Sequence, residues 1–180
     1  MNKKAIFAIS LVVFAAALFC VLRFWVLPAR EKVTQANVDT QNDPLTHDIS
    51  AIDAYRSPYL GDASNVTGLF RALPLHNLSM TFEIDGEAGK LTVRYQASAQ
   101  TLGMTEVRRA LAYNAAASMA SIDNLRILNC IFENATWSVT RERVEELLGT
   151  PLSRLLQPTD WRQEVQEKLT DAAFVDAFFR

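Results

Sequence analysis

The chain's only histidines, His47 and His76, are the residues best suited to metal or acid–base chemistry, and Asp48, Asp53 and Asp62 lie between them. A mixed His/Asp metal centre needs three or four converging ligands. Here the histidines stand 29 residues apart, with neither a cysteine partner nor an H-E-x-x-H spacing, and Asp48 and Asp62 occupy positions where a helix wants a cap. No metal site is expected. Glu83 and Asp85 are the carboxylates most easily imagined in hydrolytic acid–base work. As i and i+2 of an alternating segment, however, they fall on the wet face of a strand, where a solvated sheet places its charges anyway. Cys130 sits in an apolar run, as a buried structural thiol does. No G-x-S-x-G, P-loop or dinucleotide-binding glycine pattern is present, so no catalytic residue and no cofactor is assigned. One candidate remains, Tyr59-Leu60-Gly61-Asp62. Read plainly it is a turn, with Gly61 at positive φ, Asp62 as a cap and the Tyr59 ring packed on the core. Read functionally, Tyr59, Gly61 and Asp62 form a binding loop.

The elements that must carry this loop begin with an apolar run. Residues 5–27, AIFAISLVVFAAALFCVLRFWVL, contain only Ser10 and Arg23 as polar residues, and Lys3 and Lys4 precede them. As a helix the run is roughly 35 Å long, enough for a bilayer core of about 30 Å. A cleaved signal peptide is the rival reading, and Ala15-Ala16-Ala17 offers a cleavage site. The run is longer than a signal core, and cleavage there would leave a greasy terminus. A lipoprotein reading of Cys20 founders on Phe19, where a small residue is required. Residues 5–27 are therefore expected to be a retained transmembrane anchor, with Arg23 snorkelling and Trp25 at the interface. Positive charges flank both ends of the run. A short basic N-terminus ahead of a first span stays cytoplasmic as a rule, which makes residues 1–4 cytoplasmic and the C-terminal domain extracytoplasmic.

Residues 28–47 read as a polar linker and residues 48–180 as one soluble domain. After Leu27 the chain holds 15 basic residues against all 20 acids, a net charge of −5. That lacks the basic footprint of a nucleic-acid binder. Cys20 belongs to the anchor, so Cys130 has no partner within the domain and no disulfide staples it. The length suffices for a core without staples.

Within the domain, Asp48 caps a first short helix carrying Ile49 and Ile52. A second, capped by Asp62 or Ser64, places Val66, Leu69, Phe70 and Leu73 on one face before Pro74. The period then becomes two. Met80, Phe82 and Ile84, then Leu91, Val93 and Tyr95 alternate with polar residues across a turn at 86–89, the pattern of a hairpin with one wet face. A long helix from Thr105 buries Val107, Leu111, Ala115, Met119 and Ile122. Residues 125–132 read as a central strand and 136–139 as its partner. Thr140 caps a helix ended by Gly149, and a helical tail from Thr159 turns Trp161, Val165 and Leu169 inward. The order predicts an α+β domain, with an antiparallel sheet of two hairpins covered by helices on one face.

Tyr55, Pro58-Tyr59-Leu60-Gly61-Asp62 with Asn65, Leu73-Pro74 and Leu91-Thr92-Val93-Arg94-Tyr95 resemble a bacterial family, domain-of-unknown-function family 4825. Asn114-Ala115-Ala116, Ile122-Asp123-Asn124 and Ser138-Val139-Thr140-Arg141 with Leu148-Gly149 extend the resemblance over residues 48–156. Ala63, where the family favours Asn, and Ala88-Gly89-Lys90, ahead of the second strand, depart from its pattern. The resemblance implies a fold and a place behind a membrane anchor, and no activity. The sequence thus points to a membrane-anchored extracytoplasmic binding or sensing module, with an envelope protein or peptide as its expected partner, that is not an enzyme. The alternative is an envelope hydrolase using carboxylates such as Glu83 and Asp85.

Overall fold

The computed structural model of the protein describes Phe19 and residues 40–180. The expected N-terminal segment 1–4, the anchor 5–27 apart from Phe19, and residues 28–39 lie outside the described residues. Among the described residues no helix is long and apolar enough to cross a membrane.

The two alternating segments become β1 (Met80–Asp85) and β2 (Lys90–Tyr95), an antiparallel hairpin. Before them, Asp48 caps a 3-10 helix (Ile49–Tyr55) by accepting from Ser50 N, and Asp62 caps α1 (Ala63–Ala72). After them come the single turn α2 (Ala99–Leu102) and the central helix α3 (Met104–Ser121). A second antiparallel hairpin follows, β3 (Ile127–Ile131) with β4 (Thr136–Thr140). Thr140 then caps α4 (Arg141–Leu148), which Gly149 ends in the left-handed conformation.

Both expected hairpins are present, but the sheet they form is mixed rather than antiparallel. Its order is β1-β2-β3-β4, and β2 pairs with β3 in parallel, Val93 opposite Cys130. The reason lies in the connection. A strand joined to its neighbour through a helix is carried back to its starting end before it pairs, so the two strands run the same way. Alternation within each hairpin is blind to this. Phe82, Val93, Cys130 and Trp137 form one cross-strand row on the covered face, and Glu83, Thr92, Asn129 and Ser138 form a row on the other.

Helix α3 is more than the one-sided stripe expected of it. Every residue from Ala110 to Ser121 is buried. The small side chains of Ala115, Ala116, Ala117 and Ser118 let neighbouring elements approach on all sides, as in a helix enclosed by its domain. Asn114 is accommodated by donating its Nδ2–H to Pro74 O at 2.8 Å.

The tail differs from a continuous helix. It breaks into α5 (Pro158–Trp161), a π turn (Arg162–Gln166), a 3-10 turn (Lys168–Thr170) and α6 (Ala172–Ala177). Thr170 bonds back to Glu167 O, and Asp171 accepts from Ala173 N, so one segment closes and the next is capped afresh. Trp161, Val165 and Leu169 are nonetheless buried, joined by Gln166.

The compact unit that holds all of this starts at Thr40, ahead of the expected domain start at Asp48. Residues 40–47, read from composition as part of the linker, pack onto it. Pro44 is buried, and only 2% of His47 is exposed.

Candidate functional site

The Tyr59 turn is built by short polar contacts. Ser57 forms a parallel bridge with Ile122: its N–H donates to Ser121 O at 2.8 Å, and its carbonyl accepts from Asp123 N at 3.1 Å. The Ser57 hydroxyl accepts from Tyr59 N. Leu60 is fully buried, and its N–H donates to Asn124 Oδ1 at 2.7 Å. Asp62 accepts from both Ser64 N and Asn65 N, while Asn65 Nδ2 donates to Tyr55 O at 2.9 Å. The turn is thus pinned at Ser57, Leu60 and Asp62.

Two details depart from the expected turn. Gly61 is not among the glycines at positive φ, and a Cβ there would meet nothing within 4 Å. The turn is held by its neighbours' hydrogen bonds and needs no left-handed residue. The Tyr59 ring is not packed on the core either: 71% of the residue is exposed. Leu60 is the side chain that plugs the core, and pinning it turns its neighbour outward. Asp62 caps α1 as expected.

Beside this turn lies a cleft of about 370 Å³ lined by Pro58, Asp123, Asn124, Arg126, Arg141 and Glu142. Arg141 forms one wall and has a structural task. Its Nε–H donates to Leu125 O, and Nη2 donates to Met119 O at 2.6 Å and Ile122 O at 2.7 Å. One planar guanidinium therefore satisfies carbonyls left open where α3 ends. Asp123, Arg126 and Glu142 are exposed around it, so the cleft presents both charges to solvent. Gly89 sits at φ 63° against Asn124, where a Cβ would collide with the Asn124 carbonyl oxygen. Residues far apart in sequence, 58–62, 89, 123–126 and 141–142, are in this way held at one end of the fold.

The other sequence candidates do not gather here. Glu83 reaches Arg94 at 3.5 Å on the open face of the sheet. Asp85 accepts from Ala88 N and closes the hairpin turn. Asp53 pairs with Arg56 at 2.6 Å. Asp48 is tied to Ser50 through the latter's hydroxyl and N–H, and both bonds hold its carboxyl below the usual range. Cys130 is buried, and burial pushes its thiol up to about 12, the mark of an unreactive sulfur. Among the described residues no three of His, Cys, Asp and Glu come together in a way that could hold a metal ion.

His47 has an environment no local pattern announces. Its Nε2 lies 2.7 Å from Ala72 O and its Nδ1 2.6 Å from Tyr113 Oη. A carbonyl only accepts, so Nε2 carries the proton, and the neutral ring then accepts the Tyr113 hydroxyl at Nδ1. Burial lowers the His47 pKa, partly offset by the Ala72 carbonyl and Asp48. Burial likewise pushes the Tyr113 hydroxyl far up, so it stays a donor. The two rings meet edge to face, 5.2 Å apart. His47 and Tyr113 are 66 residues apart, so only the spatial arrangement reveals the pair. A second cleft, of about 360 Å³, opens beside them between Leu45–Ile49 and the side formed by Pro158, Arg162 and Gln166.

The fold and the cleft define a small α+β domain, a mixed four-stranded sheet with one central helix buried among the others, and a pinned turn presenting an aromatic ring. The chain belongs to the family described as Domain of unknown function (DUF4825), which matches residues 52–142. No curated protein and no solved structure matches the chain. The matched span contains every residue that lines the Tyr59 cleft. It leaves out residues 40–51 and everything beyond the first two residues of α4.

Proposed function

We propose that this is a membrane-anchored bacterial protein whose domain stands outside the cytoplasm and binds an envelope protein or peptide without catalysing a reaction. The observation that carries the binding reading is the pairing of an exposed Tyr59 with a pinned backbone beside a cleft of mixed charge. A rigid, amphipathic ring offers contact area at little entropic cost, and tyrosine is enriched where partners meet. The cleft's charged rim suits a polar peptide or protein surface more than an apolar small molecule. Anchoring rests on the apolar run 5–27, and the outward orientation rests on Lys3 and Lys4 ahead of it. The hydrolase alternative draws no support from Glu83 and Asp85, which are engaged by Arg94 and by Ala88 N.

A photo-crosslinking residue placed at Tyr59 in the full chain, in living cells, tests the binding reading. It is expected to trap one discrete adduct that the same residue at Asp85, on the open hairpin face, does not give. Equal labelling from both positions, or none from Tyr59, would count against the cleft as the binding site.

A further inference from the structure

We infer that residues 40–48 form a strap that acid releases from the domain, with protonation of His47 as the trigger. The strap is held by a few polar contacts to three separate elements, besides the buried Pro44 and Leu45 packed on the core. Gln166 Nε2 donates to Pro44 O at 3.0 Å and to His47 O at 2.9 Å. It can do so because the π turn leaves Gln166 buried beside Val165. Asn42 Oδ1 accepts from Leu75 N at 2.8 Å. His47 itself bridges the end of α1, through Ala72 O, and the middle of α3, through Tyr113.

Leu75 is the second sign that the strap works under load. It is the one non-glycine residue with positive φ among the described residues, at 69°. A leucine in the left-handed region is strained, and such residues persist where their surroundings over-determine them. Here the clamps are Asn42 on the Leu75 N–H and Asn114 on the preceding Pro74 carbonyl. Removing the strap removes one clamp, and the strained turn then favours the open state.

The imidazole is the contact that pH can break. In the seated strap both ring nitrogens are used, with the proton on Nε2 and a donor hydroxyl facing Nδ1. A second proton puts a charge in a buried site and obliges the Tyr113 hydroxyl to turn from donor to acceptor at Nδ1. The charged or titratable groups that face the ring come from every side. Asp48, on the strap, favours the cation; His76, after α1, opposes it. Tyr113, on α3, is a donor that stays protonated, and Arg162 lies across the second cleft. Burial outweighs the Asp48 attraction, since that carboxylate is exposed and engaged by Ser50. The sign follows. The His47 pKa is lower when the strap is seated than when it is free, near 6.5. The strap is therefore fully held above that value and loosens as pH falls towards the seated pKa. In the anchored arrangement proposed above, release of residues 40–48 adds up to about 30 Å of tether. The strap itself does not depend on that arrangement.

Hydrogen exchange of the full chain between pH 7 and pH 5, corrected for intrinsic exchange, tests this. The Leu75 amide is expected to quicken by up to about tenfold per pH unit below 6.5, while Leu91 and Val93 in the sheet hold their protection. His47→Gln keeps one donor and one acceptor without a titrating group, and should flatten the response; His76→Gln should not. Constant Leu75 protection down to pH 5, or an unchanged response in His47→Gln, overturns the inference. Should His47→Gln fail to fold, NMR titration of His47 in the natural chain decides. A midpoint matching the loss of Leu75 protection supports the strap, and a His47 still neutral where Leu75 has opened refutes it.

Discussion

At the scale of single residues, two glycines, Gly61 in the Tyr59 turn and Gly89 against Asn124, do different work. Gly89 has positive φ and no room for a Cβ against Asn124 O, so Gly89→Ala should lower stability by more than about 2 kcal/mol. Gly61 has open space and no left-handed backbone. Gly61→Ala is therefore expected to leave stability unchanged or raise it by up to about 1 kcal/mol. Paired urea titrations of the two variants check both signs, and a large loss at Gly61 would show that the turn is strained after all. Asp62→Ala should cost about 1 kcal/mol through the lost cap. Asp62→Asn keeps a capping oxygen and should recover most of that. A well-folded Asp62→Asn protein that loses its cellular phenotype would make the carboxylate part of the binding surface. Capping positions such as Asp48, Asp62 and Thr140 were legible in the sequence because the side chain bonds a backbone N–H two or three residues on. The outward ring of Tyr59 was not, because burial of Leu60 through Asn124 is a contact across 64 residues.

Among elements, the end of α3 is where the helix, the Tyr59 turn and the second hairpin are joined. Arg141 holds three carbonyls there, so Arg141→Met should destabilise the domain by about 1–3 kcal/mol. Arg141→Lys should recover little, because a single ammonium lacks the planar fork that reaches Met119 O, Ile122 O and Leu125 O together. Equal stability of the lysine variant and the natural chain, measured by denaturant unfolding, would contradict this geometry. Both hairpins were readable from alternation, since residues on one strand report their own face. The parallel joint between them was not. It is set by where α3 packs, and α3 itself is buried all round by elements from both ends of the domain. The tail shows the same limit. Its apolar spacing marked Trp161, Val165 and Leu169 for the core, while the π turn that also buries Gln166 answers to the strap.

For the whole molecule, the decisive measurements concern the membrane. The full-length chain should sediment with membranes and resist extraction by carbonate or high salt, because the run 5–27 is long enough to span the apolar core. A mature N-terminus at Leu18, seen by mass spectrometry, would replace the anchor with a cleaved signal. Protease added to intact protoplasts should digest the domain if Lys3 and Lys4 stay inside. Protection until lysis would put the domain in the cytoplasm and end the extracytoplasmic proposal.

What the sequence determined alone is what depends on neighbours along the chain: hydrophobic length, strand alternation, helix caps and the membership of one family. The apolar run, the wet face of β1 and the caps at Asp48, Asp62 and Thr140 are of that kind. The tertiary structure decided what depends on distant contacts. It placed Pro58, Asp123, Arg126 and Glu142 around one cleft, joined the hairpins in parallel and seated His47 between Ala72 and Tyr113. A polar stretch such as 40–47 reads as linker because its composition is nearly free of large apolar residues. It is held instead by the Pro44 and His47 carbonyls, the Asn42 amide and the His47 imidazole, which bond to residues that only folding brings near, and by Leu45 packed on the core.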